Sequence, residues 1–356
     1  MNISPITQKR LLNAKVAYTP RNVNLEIAAS LLSGDNVVPQ AGDLVLARVG
    51  KIGQHSGLEL AHGRRATLFV DDEIIVCYGN RYAPDQFEGE VPPDLQPCHL
   101  VAAGGIAALA VSSHASMKAA TAIVPIGLLL DAQGLRINLS HTALLKLPSI
   151  SPRPYTLAVV GTAMNAGKTT TAANLIRGLV NAGRVVGAAK VTGTGSGGDI
   201  WLMTDAGSIL TLDFTDAGFP TTSFATPVQV EDILEILTGH LIKAGADVIV
   251  LEVADGLFQN ETATLLCSPV FARLVNGVIF AAGDAMGALA GVEWLQRKNL
   301  PLVAISGLLT ASPLAMIEAS KATGLPILDK KALSSPSIVS FVPDNGSFKT
   351  ATLTRA

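Results

Sequence analysis

The run Gly161-Thr-Ala-Met-Asn-Ala-Gly-Lys168-Thr169-Thr170 carries the densest chemistry in this 356-residue chain. A lysine followed by consecutive threonines, reached through a glycine-bounded loop, is a residue set suited to polyphosphate. Backbone N–H groups at a helix start, helped by the helix dipole, hold phosphate oxygens. Gly167 lets the backbone come close without a side-chain clash, Lys168 would meet the outer phosphates, and Thr169 would offer its hydroxyl to Mg²⁺. On this pattern Gly161, Thr162, Asn165, Ala166, Gly167, Lys168, Thr169 and Thr170 are the expected nucleotide contacts. The usual spacing is a glycine, four residues, then Gly-Lys-Ser/Thr, whereas five residues separate Gly161 from Gly167 here. A glycine-rich turn without a ligand would leave Lys168 and three successive threonines unexplained.

Further polar residues stand at the ends of apolar runs. Glu252 closes Asp247-Val-Ile-Val-Leu251, and a carboxylate there is costly to bury unless it meets a cation. Mg²⁺ or its water is the expected partner, with the Thr169 hydroxyl on the same ion. Lys190 ends the run after the loop's helix, where ligands bind in open α/β sheets. Lys168, Lys190 and Glu252 are therefore the expected catalytic residues. Thr192-Gly193-Thr-Gly-Ser-Gly-Gly198 reads as a mobile loop able to close on an anion. Thr192, Gly193, Asp213, Asp216, Asp255, Gly256 and Arg81 complete the candidates as substrate contacts. The Arg81 fork, within Asn80-Arg81-Tyr82 and near Asp85-Gln86, suits carboxylate or phosphate.

The elements that must position these residues follow from pattern. After a linker at 149–154 the rhythm is strand, helix, strand, helix, with apolar strands at 156–160, 184–189, 247–251, 277–281 and 302–306. This predicts a doubly wound, mostly parallel α/β sheet over 155–330. Thr226-Pro-Val-Gln229 has the form of a capping box with proline at the first helical position. Residues 1–150 read as a smaller β-rich domain, a barrel or sandwich, from short runs at 44–49, 56–60, 65–69 and 73–77. Helices are expected at 25–32 and 100–117. Residues 331–356 form a carboxy-terminal tail without clear period.

Composition narrows the function. Hydrophobic residues make up 49% and charged residues 15%, with a net charge of −2 and no basic stripe. Nucleic acid is therefore not an expected partner. Three cysteines without CxxC spacing, no signal-peptide pattern and no long apolar run predict a soluble, cytoplasmic protein without a membrane span. Cys98-His99 lacks a second pair for a metal site. No histidine shows the spacing of a nucleophile triad.

The longer loop resembles that of dethiobiotin synthetase and its relatives, which include the cobyrinic-acid amidases and the molybdopterin-guanine-dinucleotide B-type GTP-binding proteins. A family of N-acyltransferase-like P-loop proteins carries a similar loop. The resemblance spans roughly residues 156–328 and rests on three motifs: the loop, Ala189-Lys190-Val-Thr-Gly193, and Val250-Leu-Glu252-Val-Ala-Asp255-Gly256. Val191 replaces a proline of that family, and Val253-Ala254-Asp255 replaces its small residues, so the substrate is not carried over. The resemblance implies a P-loop NTPase that activates a carboxylate, carbamate or amide-forming group of a small molecule, with one of Asp199 or Asp205 joining Thr169 and Glu252 on the Mg²⁺. The loop at 306–310 lacks the Asn-Lys-x-Asp signature of guanine readers, so ATP is expected, with GTP as the other candidate. A nucleotide-switched binding or delivery protein and an acyltransferase holding a nucleotide-containing acyl carrier are the alternatives. A small-molecule substrate is the expected partner, with a homodimer left open.

Overall fold

The computed structural model describes residues 1–342. In the amino-terminal part, five strands close on themselves: β1 (Leu44–Lys51), β2 (Glu73–Tyr78), β3 (Cys98–Ala102), β4 (Ile106–Ser113) and β5 (Thr121–Asp131). Strand β1 pairs with β2, β2 with β4, β4 with β3, β3 with β5, and β5 with β1, the β2–β4 pair being parallel and the rest antiparallel. Closure leaves no free edge in the ring. Val45, Ala47, Val49, Ile74, Val76, Leu100, Ala107, Ile123 and Leu128 fill its interior. The alternate residues Leu44, Leu46, Ile75, Cys77 and Leu129 pack on the outside of one wall under Leu11 and Leu31. The predicted β-rich unit is thus a barrel.

Two expected helices are strands instead. Residues 25–32 form one 3₁₀ turn, Leu25–Ile27, followed by the strand Ala28–Ser33, which pairs with Asn2–Pro5 on one side and β5 on the other. Residues 100–117 hold the end of β3, a turn at Gly104-Gly105 and all of β4. The alanine-rich sequence has good helix propensity, but pairing with β2 and β5 supplies more than local preference does. Gly105, at φ 101°, makes the turn between the two strands.

The second part is a six-stranded, all-parallel sheet: β6 (Tyr155–Gly161), β7 (Val186–Lys190), β8 (Leu210–Asp213), β9 (Val248–Glu252), β10 (Gly277–Ala281) and β11 (Leu302–Ser306), in the order β8-β7-β9-β6-β10-β11. Its four inner strands are buried on both faces, as their largely apolar character requires. On one face lie α1 (Lys168–Asn181) and α2 (Gly197–Asp205), contributing Ala172, Leu175, Ile176 and Met203. On the other face α3 (Pro227–Lys243) and α4 (Ala285–Arg297) contribute Val230, Leu234, Leu237, Val292 and Leu295. The Thr226–Gln229 capping box forms as read. This is the doubly wound architecture expected from the sequence. Residues 330–334 form a short helix, and Leu333 and Ile338 pack against the face that α1 covers. The remainder of the expected tail, 343–356, lies outside the described residues. Among the described residues no helix is long and apolar enough to cross a membrane.

The parallel order places the ends of β6, β7 and β9 side by side. Val159 is level with Glu252, and Lys190 is level with both Glu252 and Asp213. Residues far apart in sequence therefore share the carboxyl edge of the sheet, beside the loop that leads into α1.

Candidate functional site

The loop between β6 and α1 is shaped by two glycines. A Cβ at Gly161 would stand 2.8 Å from the Lys168 side chain, which folds back across it. Gly167 has φ 95° and is the N-cap of α1, with the backbone of Gly307 and Leu308 just over 3 Å from where a Cβ would lie. Thr162 N–H donates to Ala281 and Ala166 N–H to Ala163, so these two residues brace the loop. The N–H groups of Asn165, Gly167, Lys168, Thr169 and Thr170 meet no acceptor among the described residues. Five unpaired donors at a helix start make a cradle of the kind that can hold an anion.

Charged side chains line this cradle. Lys168 Nζ donates to the Ala163 carbonyl at 2.8 Å. Burial holds its pKa below the usual lysine range, opposed by Glu252 and Asp255. Thr169 Oγ1 donates to Glu252 Oε1 at 3.0 Å, while Glu252 Oε2 is buried with no partner among the described residues. Burial raises Glu252 to about 7 against the pull of Lys190. Lys190 pairs with Asp199; burial opposes its charge, but Asp199 and Glu252 outweigh that and move it above the usual range. Burial raises Asp255, opposed by Lys168 and Lys190.

A cavity of about 300 Å³ is lined by Asn165, Gly167, Lys168, Thr169, Thr170, Lys190, Asp199, Glu252 and Asp255. Nine of the sequence-selected residues are therefore brought together. Gly193 lies in the adjoining cleft, while Thr192 donates its buried hydroxyl to the Ala254 carbonyl. Gly256 packs against the Thr162 backbone, where a Cβ would come within 2.4 Å of the carbonyl oxygen.

Three candidates are placed elsewhere. Asp205, at the far end of α2, is exposed and lines neither cavity, whereas Asp199 in the first turn of the same helix does. Of the two acids offered for the metal, Asp199 is the one that lies at the cavity. Asp213 and Asp216 face the barrel side of the chain. Asp213 accepts from Tyr18 at 2.8 Å, and Asp216 accepts from Arg21 at 2.8 Å and from Asn22 at 2.6 Å. Their carboxylates are engaged in a buried contact between the two parts and line neither cavity.

Sequence reasoning missed two features. A second cleft of about 310 Å³ lies between barrel and sheet, lined by His55, Glu59, Arg65, Arg81, Gln86, Met164, Lys190, Asp199 and Asp255. It shares Met164, Lys190, Asp199 and Asp255 with the cradle. The barrel reaches the loop directly, since Asn165 Nδ2 donates to Asp85 at 2.6 Å. Glu59 accepts from Ser196 Oγ and from Gly197 N–H at the start of α2. A third pocket, of about 400 Å³, flanks the cradle on its other side. It is lined by Gly167, Thr170, Thr171, Gly307, Leu308, Thr310, Asp329, Lys330 and Leu333. The sequence pointed to 306–310 here, but no local signal marked Asp329. Among the described residues no three His, Cys, Asp or Glu side chains form a metal cage.

The strand, loop and helix thus meet at the carboxyl edge of a parallel sheet. No protein-family model and no curated protein matches the chain. Similar solved structures include the Signal Recognition Particle 54 kDa protein from Aeropyrum pernix K1 in complex with GDP, at 17% identity and TM-score 0.37, covering 55% of this chain and 46% of that one. The signal recognition particle receptor FtsY from Elizabethkingia anophelis matches at 15% identity and TM-score 0.34, with 53% and 62% covered. The cell division protein ftsY from Thermotoga maritima matches at 16% identity and TM-score 0.35, with 55% and 73% covered. The chain thus spans less than two thirds of the length of the first two. Likenesses at these TM-scores carry no weight for what this chain binds, and its own geometry must do so.

Proposed function

We propose that the chain is a Mg²⁺-dependent nucleoside triphosphatase that presents the terminal phosphate to a small molecule in the cleft against the barrel. The observation that carries this reading is the sharing of Lys190, Asp199, Asp255 and Met164 between the phosphate cradle and the second cleft. A group bound in one is adjacent to a group bound in the other, the condition for transfer between them.

In this reading the free N–H groups of 165 and 167–170 bind the phosphates. The Thr169 hydroxyl and the unpartnered Glu252 Oε2, with Asp199 near Lys190, would hold Mg²⁺, a hard cation that takes oxygen ligands and keeps phosphate oxygens and waters as the rest. When bound, the ion neutralises charge on the phosphates. Lys168 and Lys190 stabilise charge that grows on the leaving and transferring oxygens. Gly161 and Gly256 shape the loop, and Thr192 positions it through Ala254.

The flanking pocket suits the base. Asp329 Oδ1 accepts from Ala332 N–H at 2.7 Å, leaving the carboxylate with further acceptor capacity. Guanine offers two adjacent donors on one edge where adenine offers one. This favours GTP, where the missing Asn-Lys-x-Asp signature had suggested ATP.

The second reading, a nucleotide-switched binding protein, draws on the Asn165–Asp85 and Glu59–Gly197 contacts, which tie the barrel to the cradle and to the glycine loop. An acyl-carrier use of the loop has no separate observation in its favour. Phosphate release from GTP and ATP, measured with Mg²⁺ and with small-molecule acids added, tests the proposal. Turnover that the acids stimulate supports transfer. Turnover that no small molecule alters, with nucleotide-dependent protease protection at 193–198, favours the switch. No nucleotide binding at all would sink both.

A further inference from the structure

Arg81 stands on the barrel side of the cleft and is only 6% exposed. Its Nη2 donates to Gln86 Oε1 at 2.7 Å. Nη1 lies 3.4 Å from His55 Nε2, which is itself 2.9 Å from the Val101 carbonyl oxygen. A carbonyl can only accept, so Nε2 carries the imidazole proton and has no lone pair to offer Arg81. Burial and the neighbouring Arg81 charge hold His55 down at about 4, so the ring is neutral near pH 7. Arg81 Nε has no hydrogen-bond partner among the described residues. No described carboxylate lies within ion-pair distance of the guanidinium. One of its five donors is thus satisfied.

Asp255 acts on Arg81 only through space, without a salt bridge, and a buried cation left so is costly; such groups cluster at sites that complete them with a ligand. Gln86 holds one end of the fork while His55 lies beside the other, and Asp85, next to Gln86, bonds to the phosphate loop. We propose that Arg81, held by Gln86, anchors the carboxylate of a small-molecule substrate in the cleft beside the phosphate cradle. This deepens the transfer reading above and rests on it. A planar fork matches a carboxylate bidentately. The cleft lining sets Arg65, Arg81 and Lys190 against Glu59, Asp199 and Asp255, with Lys190 already paired to Asp199, so a dianion meets more repulsion from the acids than a monoanion does. A monocarboxylate is therefore preferred to a phosphate monoester.

The test uses the full chain loaded with Mg²⁺ and a non-hydrolysable GTP analogue. It is titrated calorimetrically with acetate, butyrate and hexanoate, and separately with inorganic phosphate. Wild type is expected to bind the carboxylates more tightly than phosphate. Arg81→Met is expected to lose at least about tenfold in carboxylate affinity, and Arg81→Lys to retain part of it, because a charge-assisted fork is lost or reduced to a point charge. Ligand-free Arg81→Met is expected to melt at or above the wild-type temperature, since methionine removes an unpaired buried charge. Equal carboxylate affinity in wild type and Arg81→Lys, tighter binding of phosphate, or absence of carboxylate binding to nucleotide-loaded wild type each overturns the assignment. So does an Arg81→Met chain that melts well below wild type, because that marks a structural arginine. Nucleotide loading of wild type is measured first, and its failure would sink the transfer reading instead.

Discussion

Thr169 at the start of α1 donates its hydroxyl to Glu252 at the end of β9, at 3.0 Å, and the other Glu252 oxygen has no partner among the described residues. The contact exists because β6 and β9 are parallel neighbours with Val159 level with Glu252. The helix that leaves β6 and the carboxylate that ends β9 must then meet at one edge. A buried oxygen without a donor, beside a hydroxyl and an anion cradle, is the geometry a divalent cation completes.

Mg²⁺-supported nucleotide binding is expected to depend on pH through this carboxylate. Burial raises Glu252 from 4.5 to about 7, so the cation-binding ionised form is lost as pH falls below about 7. Affinity in the presence of Mg²⁺ should rise up to about tenfold per unit as pH approaches 7 and then level off. Without ligand the sign is opposite. The raised pKa contributes stability fully present below 4.5, which is lost as pH rises through about 7. Glu252→Gln should flatten both profiles, as read by nucleotide titration and thermal melting across that range.

Lys168→Ala should abolish measurable phosphate release and weaken triphosphate binding by about two orders of magnitude, since a lysine aimed at the phosphates is worth several kcal/mol in a dry site. The fold should survive, because burial already opposes the Lys168 charge. Retained release with a normal circular dichroism spectrum would remove the cradle from the chemistry.

Arg21→Ala should destabilise the chain by about 3–5 kcal/mol, the cost of leaving a buried carboxylate unpaired. Arg21 serves both Asp213 and Asp216, whose side chains are 1% and 10% exposed. Adding Asp216→Asn should recover part of the loss, because it removes one stranded charge. Melting temperatures of the two variants read this directly, and additive losses would refute it.

GTP should bind more tightly than ATP, and Asp329→Asn should narrow the difference by about tenfold while leaving ATP affinity nearly constant. Asparagine can still cap the short helix at 330–334, so a change in base preference would not reflect lost structure. Competition titrations with both nucleotides decide it, and an unchanged ratio would release Asp329 from the base pocket.

Much of the sheet and cradle was legible because its signals are local. An apolar run buried on both faces reads as a parallel strand whatever lies around it, and Gly167-Lys168-Thr169 reads as a helix start shaped for an anion. The capping box at Thr226–Gln229 and the strand end at Glu252 belong to the same class. The stretches at 25–32 and 100–117 misled, because alanine- and leucine-rich segments suit a helix until neighbouring strands compete for their backbone groups.

Sequence alone therefore determined the parallel sheet, the loop and the residues gathered along the carboxyl edge, since each depends on periodicity or on a few contiguous side chains. Only the tertiary structure decided that Asp199 rather than Asp205 meets Lys190, and that Asp213 and Asp216 are spent on Arg21 and Tyr18. It also decided that Asp329 reaches the pocket beside Gly307, and that Arg81 faces the cradle across a cleft. Those outcomes depend on how a closed barrel docks against a sheet. Docking brings together charges separated by scores of residues, and no spacing along the chain encodes which of them will find a partner.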